Sequence, residues 1–307
     1  SEMCIRDSLS IERLVISLYA KGMSVSDIES EMQEIYGINL STSAISIITN
    51  KVSQAASEWQ NRPLESLYMI VWMDGIVFKV RENGKVINKT VYLCVGLNKE
   101  GLKEVLGMWV GKNESAAFWM GVLTDLKARG VEDILITVTD NLNGFTETIK
   151  SVFPTSTTQI CVVHQIRNSC RYVVWKEKKE FTSDLKNIYN APTKEAAKME
   201  LENFEQKWGT KYPYAIRSWR NNWEELTVFF DFPVEIRKII YTTNLIENLN
   251  GKIRKYTKNK LSFPNDDALK KSVYLAITEI EKKWYQPIWN WACLLYTSPS
   301  PRDPKTS

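Results

Sequence analysis

The sequence of 307 residues contains a single histidine, His164. A two-histidine zinc finger and a His-Glu-x-x-His metalloprotease each need at least two histidines, so both classes are excluded. The sequence also lacks a Gly-x-Ser-x-Gly elbow and a Gly-x-x-x-x-Gly-Lys-Ser/Thr loop, so nothing in it indicates an α/β-hydrolase or the use of a nucleotide cofactor. Any catalysis is therefore expected to depend on carboxylates.

Cysteine is sparse: the five residues are scattered singly at Cys4, Cys94, Cys161, Cys170 and Cys293. An odd number without paired spacing favours a reducing compartment over a disulfide framework. The chain has no run of eighteen apolar residues and no secretory signal pattern, which predicts neither a membrane span nor export. We therefore expect a cytoplasmic protein.

Charge is nearly balanced, with 40 basic and 36 acidic residues, a net charge of +4 and a pI near 8.6. Such a balance is only a weak sign of a polyanionic partner, so the distribution of the charges matters more than their sum. The length suffices for one large domain with an appendage or for two modest domains.

Both ends of the chain differ in character from the rest. Residues 1–8 (SEMCIRDS) and 293–307, in which LLYTSPSPRDPKTS follows Cys293, resemble translated sequencing-adapter read-through. We expect both segments to be artefactual or disordered. Between them, residues 9–60 show three short helical patterns separated by Gly22 and Gly37, which favours a helix-turn-helix DNA-binding region. The alternative is a three-helix bundle used for packing or dimerisation.

Residues 64–164 predict the first part of an α/β catalytic core. The expected strands are Leu67 to Val80, Val86 to Leu97, Leu102 to Val110, Asp133 to Thr139 and Gln159 to His164, with Asn83-Gly84 as a hairpin turn. Helices are predicted from Glu114 to Arg129 and from Asn143 to Val152. Three antiparallel strands followed by helix, strand, helix and strand is the order of an RNase H-like mixed sheet with helices on its faces.

Helical periodicity dominates from residue 165 onward. We interpret residues 165–243 as an all-α insertion domain and residues 244–292 as the final helices of the catalytic core. Within the insertion, Arg217 and Arg220 flank Trp219. This arrangement suggests that the ring stacks on a base while the two cations contact the backbone, although a core role for Trp219 is the alternative.

Three acidic residues occupy informative positions. Asp74 lies inside the first strand, where a buried carboxylate is unfavourable, and Asp140 directly follows the apolar strand DILITVT. The first and fourth strands are neighbours in the predicted sheet, so the two carboxylates are expected to approach each other. Close carboxylates repel unless a cation lies between them, and oxygen ligands of this kind suit Mg²⁺ or Mn²⁺.

Glu247 is the third acidic candidate, at the start of a helix predicted from Asn244 to Lys258. Asn244 and Glu247 also have the spacing of a capping box, which alone would explain them. The stretch from Asn248 to Lys260 contains no acidic residue and five basic ones, which are Lys252, Arg254, Lys255, Lys258 and Lys260. Asn250, Arg254 and Lys258 are spaced to share a helix face, so we expect phosphate contacts there, with a solvated face as the alternative.

Four segments carry a resemblance to a known family. They are Trp72 to Gly75 (WMDG), Thr139 to Asn141 (TDN), Gln159 to Asn168 (QICVVHQIRN) and Thr242 to Asn250 (TTNLIENLN). Their content and order resemble the signature blocks of bacterial mutator-type insertion-sequence transposases, over about Ser10 to Trp291. The resemblance implies that Asp74, Asp140 and Glu247 are the catalytic residues and the ligands of two Mg²⁺ or Mn²⁺ ions.

The resemblance further implies metal-dependent cleavage and transfer of DNA strands. The partners would be the terminal inverted repeats of the element and the target DNA, and the synaptic complex would contain a homo-oligomer. Asn141 departs from the family, which commonly has glycine there. Cys161 and His164 match a Cys-x-x-His block, and one such pair cannot complete a zinc site. We assign His164 a local structural or DNA-contacting role and group Arg167 with the DNA-binding residues.

Two other functions remain possible from the sequence. An RNase H-like nuclease would cut DNA without joining strands, and the predicted insertion and helix-turn-helix argue against it. A catalytically inactive DNA-binding regulator, produced by truncation, would retain only the binding regions. All three acidic residues are present, which argues against the second alternative.

Overall fold

The computed structural model describes residues 2–113, 115–140, 144–288 and Trp291. The sequence patterns at the N-terminus give three helices, α1 (Glu2–Ala20), α2 (Val25–Glu34) and α3 (Thr42–Asn61). Ser24 caps α2 through a capping box with Asp27, and the Ser41 side chain caps α3. Residues 2–8 belong to α1, and the artefactual origin expected for residues 1–8 stays a prediction. Residues 293–307 lie outside the described part of the chain.

A five-stranded mixed sheet is the centre of the fold. Its strands are β1 (Leu67–Glu82), β2 (Lys85–Leu97), β3 (Lys103–Gly111), β4 (Asp133–Thr139) and β5 (Thr157–Ile160), in the spatial order β3-β2-β1-β4-β5. The pairs β1–β2 and β2–β3 are antiparallel, whereas β1–β4 and β4–β5 are parallel. Asn83 and Gly84 both have positive φ and form the expected two-residue hairpin turn.

Helices cover both faces of the sheet. On one face, α4 (Ala116–Ala128) and α5 (Phe145–Val152) pack on a cluster that includes Val71, Met73 and Trp119. The other face carries the alternate β1 residues Ile70, Trp72 and Ile76 in a larger cluster. Because successive side chains of a strand point to opposite faces, β1 is buried on both sides, as its long apolar run predicts. Asn141, the residue after Asp140, is outside the described residues.

The structure corrects the prediction for the fifth strand. β5 ends at Ile160, and α6 (Val162–Ser169) begins two residues later, so His164 lies in a helix and not in a strand. The buried residues of α6 are Val162, Gln165 and Ser169, which follow a helical period. The apolar run ICVV concealed this change, since a short apolar run is compatible with either element.

Helices dominate the chain between α6 and the last part of the core. They are α7 (Lys178–Tyr189), α8 (Lys194–Trp208), α9 (Pro213–Asn221), α10 (Trp223–Leu226) and α11 (Val234–Tyr241), with 3₁₀ turns at Trp175–Glu177 and Val228–Asp231. Their apolar residues share one buried cluster with the sheet. The Gln159 side chain of β5 bonds to the backbone of Leu226 and Phe229, which ties these helices to the sheet edge.

The chain returns to the sheet with α12 (Asn244–Thr257) and α13 (Asp266–Glu281). Ile246, Leu249 and Ile253 form the buried stripe of α12 and place this helix against the face that carries Trp72. Leu275 of α13 joins the core of the N-terminal helices, so those helices pack against α13. Among the described residues, no helix combines the length and apolar character needed to cross a bilayer.

Candidate functional site

Two of the three acidic residues meet at the carboxyl edge of the sheet. β1 and β4 run parallel, and Trp72 pairs with Val138 in their register. Asp74 and Asp140 are each two residues further along their chains, so both lie where the neighbouring strands end their pairing. The structure thus confirms the expectation that the first and fourth strands are adjacent. Carboxyl ends of parallel strands are where sheets of this type place ligands.

Burial of Asp74 makes its negative charge costly. Desolvation and the nearby charge of Asp140 raise the pKa of Asp74 to about 6, and Glu247 contributes in the same direction. The Gly75 backbone N–H, which donates to Oδ1 of Asp74 at 2.7 Å, and the positive charge of His164 act against this rise. The charges of Asp140 and Glu247 both act on Asp74, so the three carboxylates lie within electrostatic range of that residue.

Glu247 enters this site from the first turn of α12. Its Oε1 lies 3.0 Å from the guanidinium of Arg167 and 3.9 Å from Nε2 of His164. The helix begins after Thr243, not after Asn244, and its N-cap makes no side-chain capping bond. The capping-box alternative for Asn244 and Glu247 is therefore wrong, and the Glu247 carboxylate instead accepts a hydrogen bond from the Thr243 hydroxyl at 3.4 Å.

His164 links Asp140 to the rest of the site. Its Nδ1 lies 2.6 Å from Oδ1 of Asp140, although the two groups are not aligned as a hydrogen bond. Asp140 and the Cys161 thiol together raise the pKa of His164 to about 10, so the ring is a cation at neutral pH. Cys161 also contacts the Thr243 hydroxyl at 3.3 Å. The Cys-x-x-His block thus joins α6 to the start of α12.

Asn250 has a role that the sequence did not indicate. We predicted it beside Arg254 and Lys258 as a phosphate contact, but its Nδ2 donates to Oδ2 of Asp74 at 2.8 Å. Its position one turn after Glu247 on the same side of α12 was the available signal. Buried polar atoms without a hydrogen-bond partner also gather here, since they include Oδ1 of Asn250, Oδ1 of Asp140 and Nδ1 of His164.

These observations bear on the predicted metal ligands. The donor set is rich in carboxylate and amide oxygens, which suits Mg²⁺ or Mn²⁺ in kind, and a cation would relieve the repulsion that raises the pKa of Asp74. In their present positions, however, no three acidic, histidine or cysteine side chains of the described residues lie close enough to hold an ion. Glu247 is held by Arg167 instead, and the metal site stays a prediction.

Comparison with known proteins identifies the family. The sequence profile described as "Transposase, Mutator family" matches residues 3–287. This chain belongs to the Mutator family of transposases. The first three relatives are insertion-sequence transposases of Sinorhizobium fredii, Rhizobium meliloti and Corynebacterium diphtheriae, the first and third named as probable.

The Sinorhizobium protein, named for an ISRM3-like element, is 44% identical over 90% of this chain and 70% of its own length. The ISRM3 transposase of Rhizobium meliloti gives the same values. The Corynebacterium protein is 39% identical over 89% of this chain and 80% of its own length. A solved structure titled "Drosophila P element transposase strand transfer complex" covers 90% of this chain and 86% of that chain at 12% identity, but its TM-score of 0.27 is too low to establish a shared fold.

The predicted DNA-binding residues of this Mutator-family chain fall into distinct environments. Lys252, Arg254, Lys255 and Lys258 are exposed on α12. Lys260, at the end of the same basic run, is different: burial lowers its pKa to about 8, and its Nζ lies 4.1 Å from the centre of the Tyr19 ring. Lys260 therefore packs against the N-terminal helices and does not extend the exposed basic face.

Trp219 requires a correction. Its side chain is 1% exposed, and its Nε1 donates to the Ser169 hydroxyl at 2.9 Å. Arg220 is paired with Glu205. Neither ring face of Trp219 is open to a base in this structure, so the residue belongs to the core and the stacking role predicted for it is wrong.

Proposed function

We propose that this chain is an insertion-sequence transposase that cleaves and joins DNA strands by metal-dependent phosphoryl transfer at Asp74, Asp140 and Glu247. One observation carries the proposal: β1, β4 and α12 bring these three acids of a Mutator-family chain into one electrostatic site. The strand order β3-β2-β1-β4-β5, antiparallel and then parallel, supports an RNase H-like core.

Asp74, Asp140 and Glu247 would hold two Mg²⁺ or Mn²⁺ ions. When bound, the ions supply Lewis-acid polarisation of the scissile phosphate and a lower pKa for the attacking water or 3′-hydroxyl. Asn250 orients Asp74 through its amide hydrogen bond. The His164 ring, whose Nδ1 lies 2.6 Å from Oδ1 of Asp140, pairs with that carboxylate and helps to fix its position at the sheet edge.

Arg167 provides a contact between the protein and its substrate. It now pairs with Glu247, yet its side chain is 58% exposed, so one face of the guanidinium remains open to solvent. A guanidinium pairs as well with a phosphate as with a carboxylate. We infer that Arg167 transfers from Glu247 to the DNA backbone when substrate enters, which frees Glu247 to bind metal.

The remaining DNA contacts follow from position and charge. The exposed cations of α12 are Lys252, Arg254, Lys255 and Lys258, and they begin one turn beyond Glu247, so they suit the backbone of DNA held at the acids. We assign α2 and α3, as a helix-turn-helix, to the terminal inverted repeats. Synapsis of two element ends implies a homo-oligomer acting on chromosomal DNA in the bacterial cytoplasm.

The test is a strand-transfer assay with a duplex that carries the terminal repeats of the element, in Mg²⁺ or Mn²⁺. We expect cleavage followed by joining to a target duplex. Glu247→Gln should reduce both steps by about a thousandfold, because several kcal/mol of transition-state stabilisation depend on the ligands. Glu235→Gln, at an exposed acid of α11, is the matched control and should retain activity. Cleavage without joining would instead support the nuclease alternative, and full activity of Glu247→Gln would refute the assignment.

A further inference from the structure

A group of apolar side chains is exposed just beyond α6. Trp175 is 85% exposed, Tyr172 is 66% exposed and Val174 is 52% exposed, whereas Val173 between them is buried. Single exposed apolar residues are ordinary on protein surfaces, but three within four positions form a patch. Nothing in the proposed chemistry uses these side chains.

The backbone beneath this patch is fixed by two tyrosines. The Tyr214 hydroxyl donates to the carbonyl of Ser169 at 2.7 Å and accepts from the backbone N–H of Tyr172 at 3.3 Å. The backbone N–H of Val174 donates to the Tyr212 hydroxyl at 3.3 Å. A segment held this firmly loses little conformational entropy on binding, so its exposed rings are already arranged for a partner.

The charges around the rings are positive and largely free. Arg171, Lys176 and Lys179 are exposed, and the Arg171 guanidinium lies 5.6 Å from the centre of the Tyr172 ring. The acids in this stretch are Glu177, which accepts from Lys211 and Tyr212, and Glu180, which pairs with Lys207. No ion pair involves Arg171, Lys176 or Lys179 among the residues that the structure describes.

The patch follows the helix that carries His164. α6 carries His164 in its first turn and ends at Ser169, about 8 Å further along at 1.5 Å per residue. Trp219 supports that end from below, since its Nε1 bonds to Ser169. One short helix therefore leads from the acidic site to the segment that carries the exposed rings.

We propose that the aromatic–basic patch, composed of Arg171, Tyr172, Val174, Trp175, Lys176 and Lys179, binds a DNA strand by stacking an unpaired base on Trp175 while its cations contact the adjacent phosphates. The proposal rests on the proposed function, because it identifies where DNA leaving the acidic site is held. Aromatic rings combined with free cations suit a single strand, whereas lysine is depleted at interfaces between proteins.

The test measures binding without divalent metal, so it does not depend on catalysis. Two duplexes of equal length are compared, one blunt and one with a single-stranded 3′ overhang of a few nucleotides. Trp175→Ala should weaken binding of the overhang duplex by about tenfold to a hundredfold and leave the blunt duplex nearly unchanged. Trp175→Phe should restore most of the difference, because phenylalanine keeps a ring on which a base can stack.

The matched control is Tyr285→Ala, which removes another exposed ring, 75% exposed, outside the patch. It should bind both duplexes as the unchanged protein does. Equal affinity of the Trp175→Ala variant for the overhang duplex would overturn the proposal, as would a change of oligomeric state with unchanged DNA affinity, which would assign the patch to a protein partner. The Glu247→Gln variant should lose strand cleavage but still bind the overhang duplex more tightly than the blunt duplex. Cleavage therefore tests the acidic site, and overhang binding tests the patch independently.

Discussion

The acidic site and the aromatic–basic patch depart from ordinary burial in opposite directions. At the site, charged and polar atoms of Asp74, Asp140 and Asn250 are withdrawn from water, partly without hydrogen-bond partners. At the patch, the rings of Tyr172 and Trp175 are left in water. Each arrangement costs free energy in the isolated chain. The difference indicates which ligand each region fits. A desolvated acidic site fits a small cation, and exposed rings fit a large, flat and charged partner.

The short helix α6 lies next to both regions. We expect substitutions of buried residues to change mainly the free energy of unfolding and substitutions of exposed residues to change mainly DNA binding. Trp219 packs under the end of α6 through its bond to Ser169 and is 1% exposed, whereas Trp175 lies in the 3₁₀ turn after α6 and is 85% exposed. Variants at these positions, at Asp74 and on α12 test whether burial, and not residue type, determines what a side chain does here.

The largest expected effect is on stability at Trp219. Trp219→Ala should lower the free energy of unfolding by about 3–5 kcal/mol, because it removes a buried ring and leaves the Ser169 hydroxyl unpaired. Trp175→Ala, the exposed counterpart, should change it by less than about 0.5 kcal/mol. Urea unfolding followed by circular dichroism measures both. If both variants lost a similar amount of unfolding free energy, Trp175 would be part of the core, and the two tryptophans would not differ in role.

Neutralising the buried acid should have a smaller and pH-dependent effect. The folded state raises the pKa of Asp74 from 3.8 to about 6, so between these values the folded chain binds the proton more tightly than the unfolded chain. The free energy of unfolding therefore falls as pH rises through this window, and the full cost, up to about 3 kcal/mol, is present above pH 6.

Asp74→Asn removes this cost. In chelator, the variant should be more stable than the unchanged protein at pH 7, and the two should converge as pH approaches 4. Unfolding midpoints measured across this range give the comparison, with Asp27→Asn at an exposed capping acid as the control. The opposite result would be a stability difference between Asp74→Asn and the unchanged protein that turns against the variant as pH rises from 4 to 7. It would contradict the burial of an unfavourable charge at the site.

The smallest effect concerns the salt dependence of DNA binding. Arg254→Gln with Lys258→Gln removes two exposed cations, so the slope of log affinity against log salt concentration should become less steep by about one per contact. Lys260→Met is the control from the same basic run, because Lys260 packs on Tyr19. Fluorescence anisotropy at several salt concentrations measures the slopes. If Lys260→Met changed the slope as much as the double substitution does, Lys260 would contact DNA like the exposed cations, despite its burial.

Much of the fold could be predicted from periodicity and turn chemistry. The hairpin at Asn83-Gly84, the adjacency of β1 and β4 and the start of α12 near Asn244 all agree with the structure. The change from strand to helix after Ile160 could not be predicted, because four apolar residues in a row fit both elements. The boundaries of the proposed insertion and the helix-turn-helix function stay predictions.

The tryptophans show where local sequence reasoning ends. Arg217 and Arg220 flank Trp219, so the neighbouring residues favoured Trp219 as the exposed ring. Trp175, which Lys176, Lys178 and Lys179 follow, was not singled out. Exposure depends on which helices pack above each ring. α6 covers Trp219, whereas Trp175 lies in a 3₁₀ turn whose own backbone is held from below.

The sequence by itself determined the chemistry available to this protein: three acids, one histidine and a basic helix, in an order that resembles one family. Only the tertiary structure decided how those groups are used. It turned Asn250 toward Asp74, paired Arg167 with Glu247, withdrew Lys260 from the basic face and exposed Trp175 in place of Trp219. The physical reason is that residue type and spacing are local properties, whereas burial and charge pairing depend on segments that are distant in the sequence, such as those of Tyr19 and Lys260, and meet only in the folded chain.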